Sequence, residues 1–476
     1  MHGILGWGVH LPRRRLDRTE IRPVAGAGGG RGTRTVASYD EDTTTMGVAA
    51  ARDALAAADA RPRTLWFATA EPAYLDKSNA TAVHAALRLD RAAGAYDAVG
   101  SVRSAMGALR AALDGPGPAL VVASDLRTGL PGGTDEAAGA DGAAALLTGS
   151  DRDGTPLAEL VAWTSLSEEF LDRWRPPRAA ASRTWEERFG EQRYTALGLE
   201  ALKLALGEAG LAAADVSALA VAGLHARAAR AVAAGSGVPA ERIADRLDGA
   251  VGNPGAAQPA LLLAAELERA AEEGAAGPGR IVVLLTLSDG VDAAVFRTTG
   301  ALAGYRPVRP VAEQIGSGAP VSYGTYLAWR GLLPVEPPRR PEPARPSASA
   351  AARNSDWKFG FVGSRGEDGA VRLPPSPLDG ERHPMAGETG TVAALTVDRL
   401  AYSPSPPVIF AVVDFDGGGR LPVELTDVDE GGIAVGDRVE MTFRRLFTAD
   451  GVHNYFWKAR PVQNSKPDAS GAEGAG

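Results

Sequence analysis

Hydrophobic and polar positions change rhythm along this chain. At the start, Ile4-Leu5-Gly6-Trp7-Gly8-Val9-His10-Leu11 alternates as a strand does, and Pro12 ends it. The apolar runs Thr64 to Ala70 and Ala119 to Ala123 read as buried strands. Between and around them the period lengthens. Asp40 to Thr44 can cap a helix over Thr45 to Ala58, and Ala80 to Leu89 is a second helix. A Gly-Ser turn at Gly100 opens an Ala/Leu-rich helix in the stretch GSVRSAMGAL, and Ala138 to Leu147 is a small-residue run ending in a strand.

The same order then recurs. TTMGVAAARDAL from Thr44 is matched by YTALGLEALKLAL from Tyr194, so that Gly47 falls on Gly198. GSVRSAMGAL is matched by GNPGAAQPAL, with Gly100 on Gly252 at nearly the same offset, and the strand at Ala119 finds its partner at Ile281 to Leu285. This is the signature of an internal duplication. Strands alternating with helices in both copies predict a doubled α/β fold with a mainly parallel, buried sheet in each half.

Glu169 to Pro177, aromatic and basic, reads as a packed excursion between the halves, and Tyr323 to Arg330 as an aromatic helix after them. Pro334 to Ala352 is a Pro/Arg/Ser/Ala-rich linker. From Gly390 the period becomes two: TVAALTVDRL, PPVIFAVVDFD, GRLPVELTDV, DRVEMTFRRLF and HNYFWKARPV are strands parted by turn residues, a pattern that predicts an OB-fold barrel. The expected organisation is therefore two α/β halves at 1–163 and 193–315, a connecting excursion at 164–192, a helix and linker at 316–353, a second domain at 354–462 and a disordered polar tail at 463–476.

With 476 residues the chain is long enough for two or three cores. A net charge of −8 with both signs interspersed, and acidic residues among the barrel strands, argue against nucleic acid or an anionic membrane as partner. No signal segment or long apolar run is present, which predicts a soluble, cytoplasmic protein. There is no cysteine, so disulfides, thiolate–zinc sites and cysteine nucleophiles are excluded together, and the six histidines show no metal-ligand spacing.

Five stretches together carry a family resemblance: GWGVHLPRRRLDRTEI from Gly6, YDEDTTTM from Tyr39, GADGAAALLTG from Gly139, EFLDRWRPP from Glu169 and VGNPGAAQPALLLAAEL from Val251. They resemble the thiolase superfamily, on the branch of 3-hydroxy-3-methylglutaryl-CoA synthase and ketoacyl-ACP synthase III. The resemblance implies that superfamily's duplicated five-layered fold. SDWKFGFVGSR, LPP at Leu373 and VGDRVEMTFRR resemble the acyl-CoA-associated OB-fold proteins that accompany thiolases.

The resemblance also shows what is missing. The family's acylated cysteine falls on Val102, which cannot attack a thioester; a shifted alignment puts Ser101 there, and a serine needs an adjacent base. The family's histidine falls on Ala222 or Gly223, leaving His225 two or three residues on, either in the site or on the loop. The family's asparagine is present as Asn253, which can equally be a turn asparagine. Glu71 lies near the place of the synthases' acid/base glutamate, or is a solvated loop carboxylate. The two C-x-x-C pairs of the family's zinc ribbon correspond to Ser364 to Gly369 and to part of Ser376 to Pro384, with Asp368, Asp379 and His383 as poor substitutes, so no zinc is expected. The implied ligand is a CoA thioester or an acyl carrier. The implied assembly is a homodimer, a complex with a thiolase-like subunit, or both. The implied role is that of an accessory, non-covalent subunit, with non-thiol acyl transfer or retro-aldol cleavage as the alternative.

Overall fold

The computed structural model describes residues 2–177, 179–272 and 278–462, so the expected tail at 463–476 lies outside the described residues. It falls into two units, Met1–Val335 and Glu336–Gly476.

In the first unit the chain order is β1 (His2–His10), α1 (Thr43–Ala56), β2 (Thr64–Thr69), β3 (Gly94–Val99), α2 (Arg103–Asp114), β4 (Ala119–Leu126), β5 (Asp141–Ser150) and β6 (Ala158–Leu166). There follow α3 (Glu187–Glu208), β7 (Val216–Gly223), α4 (Ala226–Gly235), α5 (Gln258–Glu272), β8 (Ile281–Leu287), β9 (Val291–Thr298) and α6 (Tyr323–Trp329). The strands join one nine-stranded sheet, β7-β8-β9-β6-β1-β5-β4-β2-β3.

That order is a palindrome of the duplication. Outward from the centre, β1-β5-β4-β2-β3 is answered by β6-β9-β8-β7 and a parallel bridge from Leu219 to Ile243. The ladder types agree step by step: antiparallel for β1/β5 and β6/β9, antiparallel for β4/β5 and β8/β9, parallel for β2/β4 and β7/β8. The halves meet where Gly3 and Ile4 pair with Glu159 and Ala158.

Each half is thus mixed, where the alternation of elements predicted mainly parallel. The reason lies in the connections. Only residues 288–290 separate β8 from β9, far too few for a crossover, so β9 must return antiparallel.

Side-chain alternation then sets the layers. Ala218, Ala220 and Ala222 of β7 face a core shared with Leu109 of α2 and Leu263 of α5, whereas Leu219 and Val221 face Leu202 of α3 and Val232 of α4. On the other half, Val121 faces the same central core, and Val122 faces α1 at Gly47. Helices outside, half-sheet, helices α2 and α5 between, half-sheet, helices outside: these are five layers. The start of α1 is fixed by a capping box, Thr45 N donating to Asp42 Oδ1 and Asp42 N to Thr45 Oγ1, both at 2.9 Å. Such a cap stabilises by about 1 kcal/mol.

Helix α6 closes this unit. Tyr326 is fully buried, its ring flanked by the guanidiniums of Arg34 (5.2 Å) and Arg330 (5.4 Å), while its hydroxyl donates to Thr128 O at 2.7 Å. Tyr323 donates to the buried carboxyl of Glu136 at 3.0 Å. The helix therefore holds the loop that follows β4.

The second unit contains a three-stranded ribbon, β10 (Val362–Arg365), β11 (Val371–Arg372) and β12 (Glu381–Pro384), with β10 central. Five strands follow: β13 (Thr389–Asp398), β14 (Val408–Phe415), β15 (Arg420–Glu424), β16 (Arg438–Ala449) and β17 (Val452–Pro461), in the order β15-β14-β13-β16-β17. A bridge from Leu425 to Ala459 joins the outermost strands, which closes the sheet into the expected barrel.

Candidate functional site

The strand ends of both halves surround a cavity of about 620 Å³. Its lining comes from the residues that follow β2 (Ala70, Glu71), β3 (Gly100 to Val102), β4 (Arg127), β7 (Leu224, His225) and β8 (Ser288, Asp289). These are carboxyl ends of parallel strands, the usual place for ligands in α/β sheets. The excursion supplies the remaining wall with Asp172 to Pro177, braced by a two-residue ladder between Arg173–Trp174 and Arg183–Thr184.

Four of the five sequence candidates meet in this cavity: Glu71, Ser101, Val102 and His225. Val102 is at the N-cap of α2 and only 3% exposed, with an inert side chain at the helix end. Among the described residues, no histidine or carboxylate is hydrogen-bonded to the Ser101 hydroxyl; its N–H donates to Ser104 Oγ at 3.4 Å.

His225 lines the wall, but the scaffold uses both ring nitrogens. Nδ1 accepts from Ala228 N at 3.2 Å as the cap of α4, which leaves Nε2 to donate to Glu187 O at 3.0 Å. A ring held this way has both nitrogens engaged by backbone groups. Glu71 is paired with Arg175, whose second nitrogen donates to Ala70 O. Its carboxylate is therefore committed to an ion pair.

Asn253 is not among the residues lining the cavity. It is buried, and its amide is saturated by the scaffold: Nδ2 donates to Gly223 O and Gln258 Oε1, both at 2.9 Å, and Oδ1 accepts from Gly255 N at 3.0 Å. Behind it, Asp125 ties the two halves together by accepting from Ala70 N at 3.0 Å and from Ala256 N at 2.9 Å. Gly255 sits at φ +53° with Asp125 Oδ2 only 2.1 Å from where a Cβ would be, so no other residue fits.

Sequence reasoning missed the polar wall of the excursion. Arg173 pairs with Asp135 through both carboxylate oxygens at 2.6 and 2.7 Å. Asp172 accepts from the Tyr194 hydroxyl at 3.2 Å, and burial raises its carboxyl above the ordinary range. The signal available is the motif EFLDRWRPP, whose aromatic and basic character predicts a packed excursion without assigning its polar groups to the cavity.

In the second unit the ribbon's turns persist without metal-ligand residues. Arg372 donates to Asp368 at 2.7 Å and lies 3.4 Å from Asp379, while Ser364 Oγ donates to Asp379 at 2.7 Å and accepts from Ser376 N at 2.8 Å. A guanidinium and a hydroxyl thus connect the two turns. Among the described residues no group of three or more histidine, aspartate or glutamate side chains is placed to hold a metal ion.

Comparison with known proteins agrees with both halves of this picture. Residues 383–444 match the family described as ChsH2, C-terminal OB-fold domain. The hydroxymethylglutaryl-CoA synthase of Thermococcus sibiricus is 32% identical over 182 residues, 36% of this chain and 52% of that protein, so the chain spans about half the length of that curated relative. Among solved structures, 3-oxoacyl-(acyl carrier protein) synthase III from Pseudomonas aeruginosa PAO1 superposes with a TM-score of 0.55 at 22% identity, covering 63% of this chain and 98% of that one. A hydroxymethylglutaryl-CoA synthase complexed with CoA does so with a TM-score of 0.55 at 18% identity, covering 68% and 89%. The first unit is hydroxymethylglutaryl-CoA synthase-like, with a thiolase-type α/β fold, and the second ends in an OB-fold domain of the ChsH2 type.

Proposed function

We propose that this chain binds an acyl-CoA thioester, or the same acyl group on a carrier, without forming a covalent acyl-enzyme. In this reading it works in the cytoplasm as an accessory to a thiolase-type catalytic subunit. The observation that carries the proposal is the occupancy of the cavity floor. Val102 stands at the helix end where a nucleophile would be activated, while His225, Glu71 and Asn253 are consumed by the scaffold. A cavity of about 620 Å³ nevertheless remains, of a size that suits a small ligand. The fold neighbour complexed with CoA supports the choice of ligand class.

A docking edge also supports an assembly. β3 is the terminal strand of the nine-stranded sheet, and Tyr96 and Val99 on it are exposed. An open apolar edge of this kind suits a second copy or a related subunit.

A second reading, non-covalent acyl transfer or retro-aldol cleavage of a thioester, is favoured by one group only, the Asp172 carboxyl raised by burial. Titration calorimetry with acetyl-CoA, followed by intact mass measurement, separates the readings. Saturable binding with neither adduct nor CoA release supports the accessory role. Steady CoA release supports the second reading, and an adduct on Ser101 overturns both.

A further inference from the structure

The amino ends of β2, β3 and β4, opposite the strand ends that line the first cavity, border a second one of about 520 Å³. Its walls come from Ala60 to Arg63 before β2, Asp90, Ala92 and Ala93 before β3, Pro118 before β4, and Asp153 in the turn after β5. Backbone bonds tie these segments together: Arg63 N donates to Pro118 O at 2.8 Å, and Gly94 N donates to Arg63 O at 3.0 Å. The rim is a continuation of the sheet.

Four charged side chains line this cavity, and they do not pair with one another. Arg61 and Arg63 are exposed on either side of the buried Pro62. The proline keeps that run extended, which sends residues two apart to the same side. Among the described residues neither guanidinium makes a hydrogen bond or an ion pair. Arg63 crosses over Gly117, its Cδ 3.2 Å from where a Cβ would stand, so a larger residue at 117 would push it aside.

The two acids are turned to their own loops. Asp90 Oδ1 accepts from Ala92 N at 2.8 Å, and Asp153 Oδ2 accepts from Ser150 N at 2.9 Å and Ser150 Oγ at 2.8 Å. Among the described residues the other oxygen of each carboxylate accepts no hydrogen bond.

Charges of opposite sign that share a concavity without meeting fit a ligand that carries a partner for each. Two guanidinium forks on one side call for an anion with oxygens for both. A carboxylate offers two oxygens and one charge; a phosphate monoester offers three terminal oxygens and nearly two charges. The carboxylates call for donors. An ammonium would enter the field of the unpaired Arg61 and Arg63, whereas a hydroxyl donates without carrying a charge.

We infer that this second cavity is a binding site for a hydroxyl-bearing phosphate monoester, with Arg61 and Arg63 holding the phosphate and Asp90 and Asp153 accepting from the hydroxyls. A sugar phosphate and a nucleoside monophosphate share that chemistry, and a volume of about 520 Å³ admits either. The site stands apart from the thioester cavity and does not rest on the function proposed for it.

Titration calorimetry on the full chain with ribose 5-phosphate, AMP and adenosine tests the assignment. Both phosphates should bind saturably, and adenosine should not. AMP binding more than about 10-fold tighter than ribose 5-phosphate identifies the ligand as a nucleotide; a smaller ratio identifies it as a sugar phosphate. Arg61→Gln and Arg63→Gln, at exposed positions, should each weaken binding about 10-fold or more. Gly117→Val, which removes no charge but displaces Arg63, should weaken it several-fold. Adenosine binding as tightly as AMP overturns the inference. So does phosphate binding that survives undiminished when both arginines are replaced by glutamine. Binding of neither phosphate also overturns it, whatever acetyl-CoA does at the first cavity.

Discussion

Val102 and the two ribbon turns within residues 364–369 and 376–384 stand where the resemblance calls for sulfur, and the chain treats them in opposite ways. In the ribbon, Arg372, Asp368, Asp379, Ser364 and Ser376 rebuild the connection between two turns from an ion pair and hydrogen bonds. In the cavity nothing rebuilds the nucleophile; an inert side chain fills its place and the neighbouring polar groups turn inward to the scaffold. The difference follows from what sulfur does in each place. A structural site only has to hold two turns together, and charge or hydrogen bonding can do that. Covalent catalysis needs a nucleophile, and no arrangement of valine supplies one.

The sharpest way to break this comparison is to restore the thiol. Val102→Cys should become acylated by acetyl-CoA, read as an intact-mass increase, where the wild type shows none; the helix N-terminus favours the thiolate. Failure of the variant to react with any thioester would mean that the cavity floor is closed to the ligand. Next in size is Asn253→Ala, which leaves Gly223 O, Gln258 and Gly255 N without their partner in a buried site. Thermal denaturation should show a loss of about 2 to 3 kcal/mol, with thioester affinity unchanged. A large loss of affinity at unchanged stability would instead make Asn253 a ligand group.

A smaller effect is expected in the ribbon, where the pairs are exposed and screened. Arg372→Ala should speed hydrogen exchange at residues 362–384, and high salt should mimic it in the wild type, whereas a chelator should change nothing. Smallest is the response to acid, and here the two regions differ in sign. The hydrogen bond from Arg372 lowers the Asp368 carboxyl, and in the barrel Arg438 and Thr389 push Asp416 down to about 2. Depressed carboxylates contribute stability above their ordinary value and lose it as pH falls, here between about pH 4 and pH 2. Asp172 is raised by burial, so its contribution is fully present at low pH and is lost as pH rises through its folded value. Below pH 4 the exchange of residues 362–384 should therefore quicken relative to that of residues 169–177.

The parts of this architecture written in local pattern were legible beforehand. The five barrel strands, the capped helix at Asp42 and the doubled order of elements all rest on periodicity and near neighbours. β3 was not recognised as a strand: as the sheet's edge it has exposed Tyr96 and Val99 and shows no inward face to read. The direction of β5 and β9 depends on connection geometry rather than on hydropathy. In the site, the resemblance points to Val102, with Ser101 under a shifted alignment, and leaves Glu71 and His225 open as loop residues; all four line the cavity. The commitment of His225 and Asn253 to backbone partners is not legible, because Ala228 N, Glu187 O and Gly223 O carry no signature in the side-chain sequence. Asp172 and Tyr194 lie 22 positions apart and become a pair only when the excursion folds back over the start of α3.

The place of Tyr326 between two guanidiniums has a consequence for how such a gene can be divided. A stop codon placed before residue 323 would remove the ring together with Arg330 and leave the buried Arg34 without that cover. A viable fission, or a swap of the C-terminal module for another, must therefore keep α6 with the upstream reading frame and cut within the Pro/Arg-rich stretch Pro334 to Ala352, where the second unit begins. The helix is a suffix of the first unit, inherited with it or not at all.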